Sequence, residues 1–530
     1  MSVRRAIALF CALAAACAPA PGSPTSSAGR PAPQMDPARL RPSTTEGFDP
    51  RSIPAYRGAH PEVYAYLDAN RTAHLQQLQR WVRQPSVSAQ NIGIREMAEL
   101  LRADLTKLGF REAELVPTSG HPGVWGYHDA GAEKTLAVYM MYDVQPVDST
   151  GWQVPGFDGA IVDHPLGKAL MARGATNQKG PERTFLNAIE SILAVRGKLP
   201  VNLMVIAEGE EELGSPHFPE VVAKYADRLR TADGVIFPFP GQSPAGPASM
   251  SLGVKGILYF ELEARGDSAG GPKTAEIHGS WKALVDAPAW RLTQALASLT
   301  SPDGNSILVP GYSDAIRPPN DEEWRLLNGM LDGWTTQEGK TRELLAVDGW
   351  VDGVSGRDAL ARYLFTTTLN IDGIWSGYTG PGTKTILPHV ATAKVDSRLV
   401  PNQHPDSALA LIRRHLDAKG FGDIIIRKLS GYPAAQTSVS APLVRAAIGV
   451  YHKFGKPVGV APRLAGSAPY YVFTDLGLPM VPAGIGHGSG AHAPNEYLVV
   501  EPKADSPLAG LVEMERFYVD LLYALAEVRR

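Results

Sequence analysis

Three stretches of strand length are almost wholly apolar: TLAVYMMY (135–142), VNLMVIA (201–207) and GVIFPF (234–239). Continuous apolar runs that alternate with helical patterns read as strands of a parallel sheet covered on both faces. Two helical patterns precede them, at roughly 60–84 and 93–108. In the second, Met97, Leu100, Leu101, Leu105 and Leu108 form one stripe. Residues 183–195, between the first two strands, also read as helix. From about 251 the pattern changes. ILYFELEA and TAKVDSRLV alternate apolar and polar positions, as strands with one wet face do, and the helical PDSALALIRRHLDAKG follows the second. The α/β pattern then resumes with APLVRAAIGVYHKFG and LPMVPAGIG. The predicted fold is therefore α/β: a parallel-sheet domain with helices on both faces, residues 51–250 and 433–530, interrupted by an inserted α+β domain over 251–432.

Composition adds exclusions. At 44% apolar and 20% charged residues the 530-residue chain is ordinary globular protein, and a formal net charge of −3 with no long basic run gives no reason to propose nucleic acid as a partner. Arg4 and Arg5 precede an apolar run, Ala6 to Ala16, too short to span a bilayer, and small residues lead into Cys17. LAAAC resembles a bacterial lipoprotein signal, with Ala14 where that pattern prefers leucine; the plainer alternative is a secretory leader with a chance cysteine. The expectation is a signal over 1–17, a Pro/Ala/Ser-rich tether over 18–50, and an exported protein whose membrane link is a lipidated Cys17. Cys11, the other cysteine, lies in the leader, so the mature domain has no thiol and cysteine chemistry is excluded.

Polar residues collect just after the predicted parallel strands: Asp143, the run Glu208 to Glu212 broken only by Gly209, and His492 in HGSGAH. In open α/β sheets the site lies outside the carboxyl ends of the strands. An acidic run is usually a solvated face, and a lone histidine usually a surface or core residue. Their position after buried strands is what marks these as candidates.

Six segments in order (YDVQPVDSTGW, ARGATNQKG, EGEEELGS, TKTILPHVATAKVDSRLVPNQ, GSAPYYVF and GAHAPNE) together resemble the co-catalytic zinc peptidases, the family of carnosinase, cytosolic nonspecific dipeptidase, succinyl-diaminopimelate desuccinylase and glutamate carboxypeptidase. The resemblance implies a homodimeric hydrolase with two metals sharing a bridging aspartate. Carried over, the first metal's ligands fall on Met141, Asn177 and Phe239, where the family has His, the bridging Asp and Asp. The second metal's fall on Asn177, Glu212 and His492. Glu211 matches the general base and Asp143 the aspartate that orients the first histidine. Arg398 matches the residue that grips the substrate carboxylate, with Ser467 beside it. His278 lies near a histidine that reaches the partner's site, although this chain loses a residue and two glycines just after it.

Every ligand of the first metal is thus replaced. Thioether suits copper(I) rather than zinc, and phenylalanine cannot ligate. For the second metal, Glu212, His492 and the Asn177 carbonyl leave one divalent ion, zinc or manganese, open, with His487 either helping or standing in a solvated loop. Three readings follow. One is a hydrolase of dipeptides or N-acyl amino acids with at most one metal. The second is a non-catalytic descendant that binds such ligands. The third is metal-free chemistry by Glu211, Asp143 and His278. A buried plug of Met141 against Phe239 is expected where the first metal would sit.

Overall fold

The computed structural model describes residues 40–148 and 150–528; the predicted leader and most of the tether lie outside the described residues. The central sheet runs in the order Glu114–Val116, Gly123–His128, Asn202–Glu208, Thr135–Met141, Gly234–Pro238, Met480–Ala483. The last four strands are mutually parallel, as the apolar runs predict. The first two are antiparallel, an edge the sequence reading did not contain.

All seven residues of Thr135–Met141 are buried because helices cover both faces, and successive side chains enter different cores. Leu136, Val138 and Met140 pack in one with residues of the helices Pro61–Arg83, Ile94–Lys107 and Lys179–Arg196. Ala137, Tyr139 and Met141 pack in the other, with Phe218, Phe237, Tyr470 and Phe473. The helix expected at 183–195 begins earlier, at Lys179. Pro181 in its first turn costs no intrahelical hydrogen bond there, so the glycine- and proline-bearing text does not interrupt it.

The insert is built on the 13-residue strand Gly253–Arg265, flanked by Val390–Leu399 and Ile425–Tyr432, with Asn370–Ser376 at one edge, all antiparallel. Leu258, Phe260, Leu262 and Ala264 turn inward against the helices Pro288–Leu299 and Pro405–Ala418. The same long strand joins the insert to the α/β unit. Its first residues pair with Ala435–Gln436 and with Leu464–Ser467. Absent from the hydrophobic reading, among other elements, are the helix Asp321–Leu345 and a four-stranded antiparallel sheet formed by Ala160–His164, Gly167–Met171, Tyr497–Pro502 and Gly488–Ser489. Among the described residues no helix is long and apolar enough to cross a membrane.

Candidate active site

Asp143 is the second residue beyond the strand Thr135–Met141, and Glu208 ends the neighbouring strand, so both stand at the carboxyl edge of the sheet. After Glu208 the chain makes a short 3₁₀ turn, Glu211–Leu213, ended by Gly214 at φ +84. A Cβ at Gly214 would meet the Ser430 side chain at 3.4 Å, so the insert's last strand lies against this turn.

Asp143 is fully buried and holds the turn. It accepts from the backbone N–H of Glu211 and of Glu212, both at 3.1 Å, and from Ser88 Oγ at 2.8 Å. With methionine at 141 it has no histidine to orient, and its carboxylate serves the backbone instead. Burial, then the Glu212 charge, push its pKa up to about 7. Burial likewise raises Glu208, which accepts from Tyr139 and Ser215, and Glu211.

Glu212 is engaged by three side chains. Its carboxylate accepts from Gln145 Nε2 at 2.8 Å and Asn177 Nδ2 at 2.9 Å, and His492 Nε2 lies at 3.2 Å. Asn177 Nδ2 is also 3.2 Å from that same nitrogen of His492. Its hydrogen bond to Glu212 raises the pKa of His492. The amide of Asn177 thus sits between the two remaining ligand positions and donates to one of them, Glu212. Its loop is fixed by Glu496, completely buried, which accepts from Arg173 Nη1 and from the N–H groups of Gly174, Thr176 and Asn177. Glu496 was missed in the sequence, although it closes GAHAPNE; Gln145 was missed too, inside YDVQPVD.

Met141 is 2% exposed, its N–H donating to the buried Glu182 at 2.7 Å. Phe239 is 40% exposed, with its ring 6.4 Å from that of Phe237. The buried plug expected of the pair is therefore not there: methionine enters the aromatic core and phenylalanine stays at the surface. His487 is neither ligand nor solvated; it is 5% exposed, its two nitrogens against Gln242 O and Tyr497 Oη. His278 is exposed on the insert, with Ser280 and Thr385 as its partners.

The substrate-clamp candidates come together. Arg398 Nη1 donates to Ser467 Oγ at 3.0 Å, its Nε pairs with Asp396 at 3.2 Å, and Ser467 Oγ donates to Gly256 O. Lys255, beside Ser467 in the strand pairing, is 3% exposed and donates to Thr366 O at 2.7 Å. Burial, with the charges of Arg463 and Arg398, lowers its pKa to about 7.

An α/β sheet carrying acids at the carboxyl ends of its strands, with the insert's last strand against their turn, has its polar groups where open α/β sheets bind ligands, and the comparisons name the family. Residues 137–514 match peptidase family M20/M25/M40, and the chain belongs to that family, a family of hydrolases. It is 28% identical over 374 residues to a Cys-Gly metallodipeptidase of Schizosaccharomyces pombe, covering 67% of this chain and 75% of that one. It is 29% identical over 377 residues to the human Beta-Ala-His dipeptidase, covering 67% and 71%. The structure of an M20 family metallo-carboxypeptidase from Sulfolobus solfataricus superposes with a TM-score of 0.75 and 32% identity, covering 86% of this chain and 98% of that one.

The metal such a family implies does not fit the donors here. Three of the five carried-over positions hold Met, Asn and Phe, and the Asn177 amide presents an N–H to Glu212. Among the described residues no group of three or more His, Cys, Asp and Glu side chains could hold a metal ion. Catalytic zinc commonly takes three protein ligands, and Glu212 with His492 supplies two.

Proposed function

We propose that the protein hydrolyses the amide or peptide bond of a small carboxylate-bearing substrate, a dipeptide or N-acyl amino acid. The observation that carries this is Glu211. Asp143 and Glu212 are tied up in hydrogen bonds, while the Glu211 carboxylate accepts none among the described residues, so it is the acid left to handle a proton on water or leaving group. Arg398, steadied by Asp396 and Ser467, presents a guanidinium to the substrate carboxylate; a planar donor pair matches that group.

One observation favours a second reading. The hydrogen-bonded Glu212–Asn177–His492 cluster has the geometry of a centre rebuilt as scaffold, which suits a protein that binds the same ligands without cleaving them. The experiment that separates the two is Glu211→Gln, assayed on a panel of dipeptides and N-acyl amino acids beside calorimetric binding. Hydrolysis should fall by about two orders of magnitude or more, the usual worth of a general base, with binding nearly unchanged. Binding without turnover by the parent protein would establish the second reading. Activity that survives the change would sink the first. We further infer that the protein is exported, held at a membrane through lipid on Cys17, and assembled as a homodimer; the N-terminal pattern and the family's inserted domain support these.

A further inference from the structure

Leu40, where the described chain begins, packs against the cluster of Trp324, Leu327 and Leu360 on the helix Asp321–Leu345 and its neighbour. The next residues are bound along that helix. Ser43 Oγ donates to Asp321 at 2.6 Å, Asn328 holds the carbonyls of Thr44 and Glu46 at 3.0 Å, and Phe48 N–H donates to Arg325 O at 2.7 Å. The far end of the helix carries unusual exposure. Leu344 is 85% exposed and Leu345 58%; beyond the left-handed turn at Ala346, Val347 is 41% and Val351 46% exposed, with Tyr363 at 56%.

The chain returning from this tip is tied back to the helix. Trp334 stacks on Trp350 with ring centroids 6.3 Å apart and on Tyr363 at 6.5 Å. Glu338, 8% exposed, pins the returning chain by accepting from Trp350 Nε1 at 2.8 Å and Gly356 N–H at 3.0 Å. Exposed aliphatic side chains grouped beside aromatics mark an interaction surface.

We propose that this helix tip is a membrane-facing surface, its leucines and valines entering the interfacial layer of the bilayer to which lipid on Cys17 would hold the chain. The proposal rests on that anchoring reading. What selects lipid over other occupants is where the chain comes from. Trp334, midway along the helix and stacked on Trp350 and Tyr363, belongs to the same cluster that receives Leu40, and residues 18–39 between Cys17 and Leu40 span at most about 75 Å when extended. Of the aromatics beside the tip Tyr363 is exposed, and a phenol beside aliphatic residues suits the headgroup boundary. The charges around the tip nearly cancel: Lys340, Arg342, Arg357 and Arg362 against Glu338, Glu343, Asp348, Asp352 and Asp358. Seating is therefore apolar, and neutral lipid suffices.

The sequence provides its own probe, since Cys11 and Cys17 are its only cysteines. The full chain with Leu344→Cys, expressed in a bacterium and labelled there with a polarity-sensitive dye, is reconstituted into phosphatidylcholine vesicles with and without brominated lipid. A second preparation carries the dye at Leu464→Cys, 53% exposed in the α/β unit. The expected result is a blue-shifted emission at 344 that brominated lipid quenches and added salt does not reverse, with 464 unaffected. Vesicles that float with the protein while the dye at 344 stays in water overturn the tip surface alone. A blue shift that brominated lipid does not quench means that a second copy covers it, which also overturns the proposal. Protein that fails to float with the vesicles removes the anchoring reading, and this proposal with it.

Discussion

Met141, Asn177 and Phe239 change the chemistry of the strand ends in three different ways. A thioether at 141 needs no solvent and slips into the aromatic core beside Tyr139 and Phe237, leaving Asp143 to the backbone. The amide at 177 supplies N–H groups where the family has a bridging carboxylate, which makes one potential ligand, Glu212, its hydrogen-bond acceptor and sets an amide nitrogen 3.2 Å from the other, His492. Phe239 has no donor at all. The purified protein should therefore carry no more than one divalent ion per chain after dialysis; elemental analysis finding two retained ions would refute this. Restoring the donors tests the same logic from the other side. The variant Met141→His/Asn177→Asp/Phe239→Asp recreates a carboxylate bridge and two ligands, and should raise retained zinc to between one and two ions per chain. A triple variant that folds yet binds no more zinc than its parent would show that the ligand positions have moved apart.

At the scale of elements, the buried strands were legible because their apolar runs had no polar interruptions, and the paired Arg398 and Ser467 because each sits in a distinctive motif. The helix Asp321–Leu345 was not: Glu322, Glu323 and Glu338 interrupt its apolar pattern, and each is spent on a contact no local reading foresees. Glu322 caps Val439, Glu323 meets Arg317 and Arg463, and Glu338 holds Trp350. The plug failed for a related reason: sequence fixes size and polarity at 239, but not which side of the strand end faces solvent. Glu496 joins two elements through buried hydrogen bonds from Arg173 and three backbone N–H groups. Glu496→Ala should destabilise by about 3 kcal/mol, because it leaves Arg173 and the 174–177 loop with unpaired buried donors. A loss below about 1 kcal/mol in urea unfolding would mean that the loop re-forms around water.

Lys255 extends the argument to pH. Its folded pKa, about 7, lies below the 10.5 of a free lysine, so between those values the unfolded chain binds the extra proton and stability rises with pH. Lys179, also lowered by burial to about 7, adds to the same window. Lys255→Met should remove one of the two contributions, flattening the rise by up to about 1.4 kcal/mol per pH unit between pH 7 and 10. An unchanged slope would place that proton elsewhere.

For the whole molecule, one side of the strand Asn370–Ser376 is unpaired among the described residues, at the edge of the insert's sheet, and little guards it. Ile371 is 49% exposed, Ile374 54% and Trp375 45%. An exposed apolar edge is a template for another strand, and natural proteins cover or charge such edges unless they use them. Across a two-fold axis the same edge from a second copy would continue the sheet, each chain burying what the other exposes. The expected state is a homodimer at micromolar concentration by light scattering. Ile374→Lys/Trp375→Lys sets four charges facing one another along the joined edge, two from each copy, and should yield monomers that keep their fold. His278, exposed and bonded only within the insert, would then approach the partner's cleft, so a His278→Ala change should lower turnover in the dimer without altering its assembly. A parent protein that scatters as a monomer would remove both the dimer and any role for His278 across it.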